Sequence, residues 1–403
     1  MGLIHAMPTP SPSRKQEGEY GEKQSMTSKL CQTLGIEFPL FAFSHCRDVI
    51  AAVSKAGGFG VLGATAFNPE QLEVELAWID AHVDGKPYGI DVLIPENLSI
   101  AQEKGVTSGS LAKRIPQGHK DFVDGLLARH GVDAAGTTAR RDDDAPPPFW
   151  PEEAMELLRV AFNHPIRMIV NALGVPPPEM IAMGRDHSIP VGALAGAKEH
   201  ALRLAAAGVD VIVAQGGEAG GHCGEVSTLV LIPEVVRALK AAGHDVPVLA
   251  AGGIMTGAQM AACMAMGAAG AWTGSVWLAT TESETTGIFR EKMVAARSRD
   301  TVRSKGRTGK YSRQLRSAWT DAWEAPDSPG ALPMPFQSLI SEPALRRADK
   351  VAAGGNAQAR ELVTYFVGQG VGLVEEVTSA RAVVQSFMED YVDAVDALNA
   401  SVA

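Results

Sequence analysis

Cysteine is scarce in this sequence, and no part of it is long and apolar enough to predict a membrane span. The 403 residues include four widely spaced cysteines and no C-x-x-C pair: Cys31, Cys46, Cys223 and Cys263. This spacing excludes a disulfide scaffold and a cysteine zinc site, and we expect no bound metal. No run of about 18 uncharged apolar residues occurs, and the N-terminal segment lacks the apolar core of a signal peptide. We therefore expect a reducing, cytoplasmic setting.

Basic residues are also in the minority. Lys and Arg number 36 against 46 Asp and Glu, which gives a formal net charge of −10 at pH 7. An acidic chain binds nucleic acid poorly, so we expect a small-molecule substrate rather than a nucleic-acid or membrane partner. Hydrophobic residues make up 46% of the chain, which excludes global disorder. The length is sufficient for a barrel of about 250 residues with additional segments.

Short apolar runs alternate with helical patterns from Leu30 onward. They follow a polar, Pro- and Ser-rich stretch over residues 1–26, which we predict to be a disordered tail. Eight of the runs have the nearly continuous apolar character of parallel strands covered on both faces. They are Pro39–Phe43, Phe59–Gly63, Tyr88–Ile94, Ile166–Leu173, Pro190–Leu194, Val209–Gln215, Val246–Gly252 and Ala269–Gly274.

Helical patterns separate most of these strands. The clearest are Asp48–Ala56, Pro69–His82, Ala197–Ala207, Pro233–Ala242 and Gly257–Met266. Strand–helix alternation produces right-handed βαβ units, and eight such units predict an α/β fold of the (β/α)8 TIM-barrel type. A doubly wound open sheet is the alternative, but its glycine fingerprint would follow the first strand, where none occurs.

Two regions fall outside the barrel pattern. Residues 98–150, with a helix predicted over Leu111–His130, are expected to form an insertion after strand 3 that acts as a lid at the barrel mouth. The alternative is a surface excursion without a role. Residues 282–403, with helices predicted over Gly287–Ser304 and Gln358–Phe366, are expected to form an appended helical subdomain. The barrel then comprises residues 27–97 with strands 1–3 and residues 151–281 with strands 4–8.

The most informative segment is QGGEAGGH, which begins at Gln215 directly after a buried strand. Four glycines within six positions allow backbone N–H groups to approach a ligand closely. His222 ends the segment on the carboxyl side of a barrel strand, where barrel active sites lie. Because histidine titrates near neutral pH, His222 is a candidate general base. A loop histidine without a task is the alternative.

Two further glycine loops follow the last two strands. AAGGIMTGAQ contains Gly252 and Gly253, and WTGSVW contains Gly274 and Ser275. Loops after strands 7 and 8 form the usual phosphate site of TIM barrels, where backbone amides and a helix N-terminus hold the anion. Ordinary turn glycines are the alternative, but two adjacent loops in this order favour a phosphate site.

Together QGGEAGGHCG, PVLAAGGIMTG, GAWTGSVWLATTES and AVSKAGGFGVLG resemble the nitronate monooxygenase (2-nitropropane dioxygenase-like) FMN oxidoreductases. The resemblance extends from about Leu30 to Leu315 and implies an FMN-binding TIM barrel with an extra helical domain. It implies that His222 is the catalytic histidine. It also implies two groups of FMN-binding residues: the flavin-lining Gln215, Ala219, Gly220 and Gly221, and the phosphate-binding Gly252, Gly253, Gly274 and Ser275.

The sequence departs from the family pattern near two strand ends. Where the family usually has Ala-Pro-Met after strand 1, this chain has AFSHCRD, so Ser44 or His45 is expected to face the flavin. The lysine found in many members near the end of strand 5 is replaced by the Ala193–Ala195 segment. Asn171, at the end of strand 4, is either a flavin or substrate contact or a turn cap. These departures indicate a subgroup whose substrate need not be a simple nitronate.

Three functions are compatible with this pattern. The first is oxidation of a nitronate or nitroalkane with O2 to a carbonyl compound and nitrite. The second is an NAD(P)H-dependent FMN reductase acting on a quinone or an enoyl or acyl thioester. The third is an FMN-binding scaffold without activity, which the intact His222 and phosphate loops disfavour. Exposed helix faces on such barrels often pair, so a homodimer is one possible assembly.

Overall fold

The structure, a computed structural model, describes residues 28–94, 107–133 and 151–402. The predicted tail over residues 1–26 lies outside the described residues. The strands, in chain order, are β1 (Leu40–Ser44), β2 (Phe59–Gly63), β3 (Tyr88–Val92), β4 (Met168–Asn171), β5 (Val191–Ala195), β6 (Val211–Gln215), β7 (Gly221–His222), β8 (Val248–Ala251), β9 (Gly270–Thr273), β10 (Thr301–Ser304) and β11 (Ser312–Leu315).

Helices follow the barrel strands and also form most of the C-terminal region. They are α1 (Lys29–Leu34), α2 (Arg47–Lys55), α3 (Pro69–His82), α4 (Ser108–Lys113), α5 (Gln117–Arg129), α6 (Pro151–Phe162), α7 (Pro178–Asp186), α8 (Lys198–Ala206), α9 (Thr228–Ala241), α10 (Gly257–Ala265), α11 (Gly287–Ala295), α12 (Ala318–Glu324), α13 (Phe336–Ala353), α14 (Ala357–Leu362) and α15 (Ala380–Val402).

Eight parallel strands close into a barrel in the order β1-β2-β3-β4-β5-β6-β8-β9, with β9 paired back to β1. Each of the eight predicted apolar runs contributes one strand, so the predicted (β/α)8 TIM barrel is confirmed. The strands are shorter than the apolar runs at several ends, although flanking residues such as Pro39 and Pro190 still accept backbone hydrogen bonds from the neighbouring strand. Among the described residues, no helix combines the length and apolarity needed to cross a bilayer.

Alternating side chains fill the inside and the outside of the barrel wall. Phe41, Phe59 and Trp272 belong to the interior cluster, and Leu34 of α1 packs into the same cluster. Ile50, Leu76 and other side chains form a separate cluster between the wall and the helices. Because the interior is packed with side chains, a ligand site is expected only where the strands end.

The described part of the predicted insertion is a pair of helices. The single helix predicted over Leu111–His130 is wrong, because α4 ends at Lys113 and α5 begins only at Gln117. Pro116 lies between them and has no N–H for a helical hydrogen bond. Leu126 and Leu127 are buried in the same apolar cluster as Trp319 and Leu345 of the C-terminal region. Residues 107–133 are therefore packed against that region, and the lid function of the insertion stays a prediction.

The C-terminal region is helical for the most part, but it also contributes two strands. The helix predicted over Gly287–Ser304 ends at Ala295, and the last four residues of that range form β10. β10 pairs with β11, and β11 pairs with the short β7, in an antiparallel sheet of three strands outside the barrel. This sheet attaches the C-terminal region to the loop that follows β6.

A histidine joins two helices of the barrel's outer layer. His164, after α6, places Nδ1 2.7 Å from Asp80 Oδ2 and Nε2 3.1 Å from Glu73 Oε2, both on α3. Burial opposes the charged form, but the hydrogen bonds and charges of the two carboxylates prevail and raise the pKa of His164 above its ordinary value. The imidazolium therefore stabilises the fold at low pH.

We expect His164→Gln to lower the free energy of unfolding by about 1 kcal/mol near pH 6, the usual value of a hydrogen bond to a charged group at a partly exposed site. Because the folded-state pKa of His164 is raised, its contribution to stability is complete below about pH 6.5 and is lost as the pH rises through that pKa. The difference in unfolding free energy between the two proteins should therefore shrink near pH 9. Melting curves of both proteins at the two pH values provide the measurement. His82→Gln on α3 is the control, and an equal loss at both pH values would contradict the assignment.

Candidate functional site

Three glycine-containing loops meet at the carboxyl end of the barrel strands. They follow β6, β8 and β9, which are neighbours in the barrel. Gly252 and Gly253, directly after β8, have φ of 113° and 72°, a region that only glycine adopts without strain. A Cβ on Gly252 would also lie 2.8 Å from Thr228 Oγ1. The loop conformation therefore depends on these two glycines.

Gly274, after β9, differs from them. A Cβ built on Gly274 would meet only Phe43 Cδ1, at 4.0 Å, so its open side faces unfilled space beside β1. Ser275 follows at the start of a 3-10 turn, and its Oγ accepts a hydrogen bond of 2.8 Å from the backbone N–H of Gly368. The predicted phosphate loops are thus neighbours in space, and Gly274 provides an open position between them and strand β1.

A C-terminal segment that the sequence reading missed completes these loops. The N–H of Gln369 donates to the carbonyl of Glu218 at 2.8 Å. A Cβ on Gly370 would approach Met255 Cγ to 2.3 Å, and a Cβ on Gly220 would lie 2.9 Å from the backbone N of Gly368. Residues 368–370 therefore pack backbone to backbone against the β6 and β8 loops. Their GQG pattern is visible in the sequence, but only the fold brings it to the barrel mouth.

The loop that carries Gln215, Ala219, Gly220 and Gly221 leads from β6 to the three-stranded sheet. Gln215 ends β6 opposite Ala251, and Ala219 is buried. Arg313 Nε of β11 donates to the carbonyl of Gly217 at 2.9 Å, and Gly221 has φ of 73° as it enters β7. The four predicted flavin-lining residues therefore lie on one loop, which is anchored by the C-terminal region.

His222 is held in one tautomer by a threonine. Its Nε2 lies 2.9 Å from Thr308 Oγ1, and that hydroxyl donates its own hydrogen to the carbonyl of Lys310 at 3.0 Å. The hydroxyl must then accept from Nε2–H, so Nδ1 keeps its lone pair. Burial, with the positive charge of Lys310 as a smaller cause, lowers the pKa of His222 to about 4. His222 is thus a neutral imidazole at physiological pH with a basic Nδ1.

His45 is a second neutral histidine at the mouth. Its Nδ1 donates to the carbonyl of Gly63 at 2.9 Å, and its ring meets Phe43 edge-on with centroids 5.2 Å apart. Burial lowers its pKa, although the bond to Gly63 and the charge of Glu284 act in the opposite direction. Ser44, the other candidate on this strand, accepts a hydrogen bond from the N–H of Cys46 at 3.1 Å and caps the turn.

Asp91 was missed by the sequence reading. It is 2% exposed, and its Oδ1 has no hydrogen-bond partner within residues 28–94, 107–133 and 151–402. Burial raises its pKa well above the ordinary value. Tyr88 bonds to Asp80 on the helix side of β3, so Asp91, three residues later, points into the barrel. It lies opposite Gly63, whose inner side is occupied by the His45 ring. A polar residue within the apolar run YGIDVL was the signal for it.

Asn171 has a structural role. Its Oδ1 accepts from the N–H of Ile94 at 2.9 Å, and its Nδ2 donates to the carbonyls of Ile94, Leu173 and Gly174. The buried amide thus connects the end of β3 with the turn after β4. Of the two readings of this residue, the turn cap accounts for all of these contacts.

Comparison with known proteins gives the family context of this arrangement. A family model described as "Nitronate monooxygenase" matches residues 28–390. A protein of Mycobacterium tuberculosis named "Putative monooxygenase" is 52% identical over 93% of this chain and 98% of its own length. Most of the chain, including all three glycine loops and the segment around Gly368, falls within these matches.

Solved structures are similar over nearly the whole chain. The nitroalkane oxidase of Streptomyces ansochromogenes has 27% identity and a TM-score of 0.73, covering 92% of this chain and 100% of its own. A variant of FabK from Thermotoga maritima has 24% identity and a TM-score of 0.65, covering 93% of this chain and 99% of its own. The second of these supports the fold alone.

Proposed function

The chain belongs to the nitronate monooxygenase family, an FMN-type family of oxidoreductase enzymes, and from this premise we propose a specific reaction. The protein binds FMN at the barrel mouth and oxidises a nitronate with O2 to a carbonyl compound and nitrite. The observation that carries the proposal is the neutral His222, fixed by Thr308 beside the glycine loops. The similarity to a nitroalkane oxidase supports the same substrate class.

The residues at the mouth fit FMN. The open side of Gly274 and the adjacent Gly252–Gly253 loop offer room and backbone amides for a phosphate, which needs no lysine there. The Oδ1 of Asp91, inside the barrel wall, has no hydrogen-bond partner among the described residues, and the polar ring edge of a flavin would offer one. The glycine loops thus suit the phosphate end of FMN, and Asp91 suits its ring end.

The protein's part in the reaction is to position the substrate and to handle one proton. When bound, FMN supplies the redox chemistry by accepting electrons from the substrate. His222 Nδ1 can take the proton from the acidic carbon of a neutral nitroalkane, while Nε2–H stays bonded to Thr308. A pKa of about 4 makes this base always available but weak, since general bases act best when their pKa is near the working pH. The preformed nitronate, which needs no deprotonation, is therefore the preferred substrate form.

An aerobic assay without NAD(P)H tests this proposal. The purified protein should consume O2 and release nitrite when propane-2-nitronate is added. Activity that requires NADH or NADPH, with a quinone or an enoyl thioester as acceptor, would instead establish the reductase alternative. Absence of turnover with either set of substrates would leave only the inactive scaffold.

The rate with a neutral nitroalkane should depend on pH through His222. Because its pKa is lowered to about 4, the basic form persists at low pH, and kcat/KM should stay level as the pH falls to about 5. It should decline only below that, as Nδ1 becomes protonated. Anaerobic stopped-flow flavin reduction measures this profile, with circular dichroism confirming the fold at each pH. An inflection near pH 6.5 would show an unshifted histidine and contradict the buried, threonine-bonded geometry.

A further inference from the structure

Gln314 is a buried amide whose polar atoms find no partner in the described part of the chain. The side chain is 0% exposed, and neither Nε2 nor Oε1 makes a hydrogen bond there. Another buried glutamine of the same region shows the usual situation: Gln337 donates from Nε2 to the carbonyl of Gly306 at 2.8 Å and accepts from the N–H of Leu332 at 2.9 Å. Buried polar groups in native proteins are almost always satisfied, so the amide of Gln314 calls for a partner that the described residues do not supply.

The sheet register places Gln314 two residues from the strand partner of His222. Ser312 of β11 is the direct partner of His222, and Gln314 lies two residues further along the same strand. Side chains two residues apart share a face, so His222 and Gln314 lie on one face of the sheet. Phe366 is paired with Gln314, and its ring centroid lies 6.5 Å from that of His222. The unpartnered amide therefore belongs to the surroundings of the candidate base.

His222 cannot donate a hydrogen bond to a bound anion, whereas the amide of Gln314 can. Because Nε2–H is committed to Thr308 and Nδ1 is unprotonated, the neutral imidazole offers no N–H to an anionic oxygen. A bound anion must find its donor elsewhere, and an amide NH2 provides two hydrogens. Arg313, the adjacent residue, is directed to the other side of the strand, toward Gly217 and Thr301.

We propose that Gln314 is a substrate-binding residue that donates a hydrogen bond to an oxygen of a planar two-oxygen anion held against His222. This inference rests on the proposed function for the identity of the anion as a nitronate. It does not depend on turnover, because a carboxylate of the same shape presents the same pair of oxygens. The side-chain amide determines both affinity and the orientation of the anion relative to Nδ1.

The test uses the FMN-loaded protein, Gln314→Met and the matched control Gln337→Met. Methionine keeps the unbranched shape of glutamine and removes its hydrogen-bonding groups. Isobutyrate, a non-oxidisable analogue of propane-2-nitronate, is titrated while the flavin absorbance is recorded. Gln314→Met should raise the Kd of isobutyrate and the KM of the nitronate about tenfold to a hundredfold, the usual effect of losing a hydrogen bond to a charged group. FMN content should not change.

Thermal unfolding separates this role from a structural one. Removing an unsatisfied buried amide should leave the Tm of Gln314→Met equal to or above that of the unsubstituted protein. Gln337→Met breaks two hydrogen bonds and should lower Tm while leaving the Kd of isobutyrate unchanged. A Gln314→Met protein that fails to fold, has a lowered Tm or loses FMN would overturn the proposal, because the amide would then serve the fold or the cofactor.

The outcomes also distinguish this inference from the proposed function. If the protein binds isobutyrate and Gln314→Met raises the Kd by the expected factor, but nitronates are not oxidised, Gln314 keeps its role and the proposed reaction is wrong. If nitronate is oxidised equally well by both proteins and isobutyrate binds equally, the reaction stands and the inference is wrong. Absence of isobutyrate binding to the unsubstituted protein would also overturn it.

Discussion

Gly274→Val should yield a folded protein that has lost its FMN. Among the described residues, only Phe43 Cδ1 comes within 4 Å of a Cβ built on Gly274, at that limit, so the described fold has room for the first side-chain atom. A phosphate placed between the β8 and β9 loops would compete with the branched side chain for that space. We expect the Kd for FMN to rise at least about a hundredfold, or roughly 2.7 kcal/mol. Flavin content after purification and titration of the apoprotein with FMN measure the effect.

Two other glycines make this result specific. Gly287→Val introduces the same side chain at an exposed position with nothing within 4 Å and should leave FMN binding unchanged. Gly252→Val should instead destabilise the fold with or without FMN, because φ is 113° and the Cβ would contact Thr228. Full FMN occupancy in Gly274→Val would place the phosphate elsewhere.

His222→Asn should slow the reaction of a neutral nitroalkane more than that of the corresponding nitronate. Asparagine can still accept a hydrogen bond but cannot take a proton, so only the reaction that requires deprotonation should suffer. With a neutral nitroalkane we expect a loss of roughly two orders of magnitude in kcat/KM, the low end of general-base effects, because the pKa of about 4 makes His222 a weak base. With the preformed nitronate the loss should be several times smaller. Steady-state kinetics on both forms provides the comparison.

The matched variant is Thr308→Val, which removes the hydroxyl that fixes the tautomer but leaves the imidazole. It should reduce the nitroalkane rate less than His222→Asn does and should retain FMN. Equal losses on both substrate forms in His222→Asn would mean that His222 orients the anion rather than removing a proton. No loss on either would transfer the chemistry to His45, whose Nε2 is also unprotonated.

The barrel could be predicted because its strands are short apolar runs separated by amphipathic helices. The second sheet could not, since β7 has two residues and β10 and β11 carry polar side chains such as Arg303 and Gln314. The local pattern predicts helix over β10, but pairing between distant segments decides the structure. The helix after β7 likewise begins at Thr228 rather than at Pro233, which lies in its second turn, where a proline omits one backbone hydrogen bond without ending the helix.

The site shows the same division. His222 and the glycine loops follow strand ends and were visible in the sequence, because strand ends define the mouth of a barrel. Thr308, Gln314 and the segment at Gly368 lie 86 or more residues beyond His222 in the chain, and tertiary pairing brings them to the β6 and β9 loops. The local hydrophobic pattern of a sequence does not predict contacts between such distant residues. Asn171 also lies at a strand end, but its side chain binds the backbone of the neighbouring loop rather than facing the barrel mouth.

In the proposed reaction a nitronate, and not a nicotinamide cofactor, delivers electrons to the bound flavin. An anaerobic absorbance spectrum of the FMN-loaded protein tests it most directly, after separate additions of propane-2-nitronate, NADH and NADPH. The proposed function predicts rapid bleaching of the oxidised flavin band with the nitronate and no comparable change with either nucleotide. Bleaching with NADH or NADPH and none with the nitronate would contradict it.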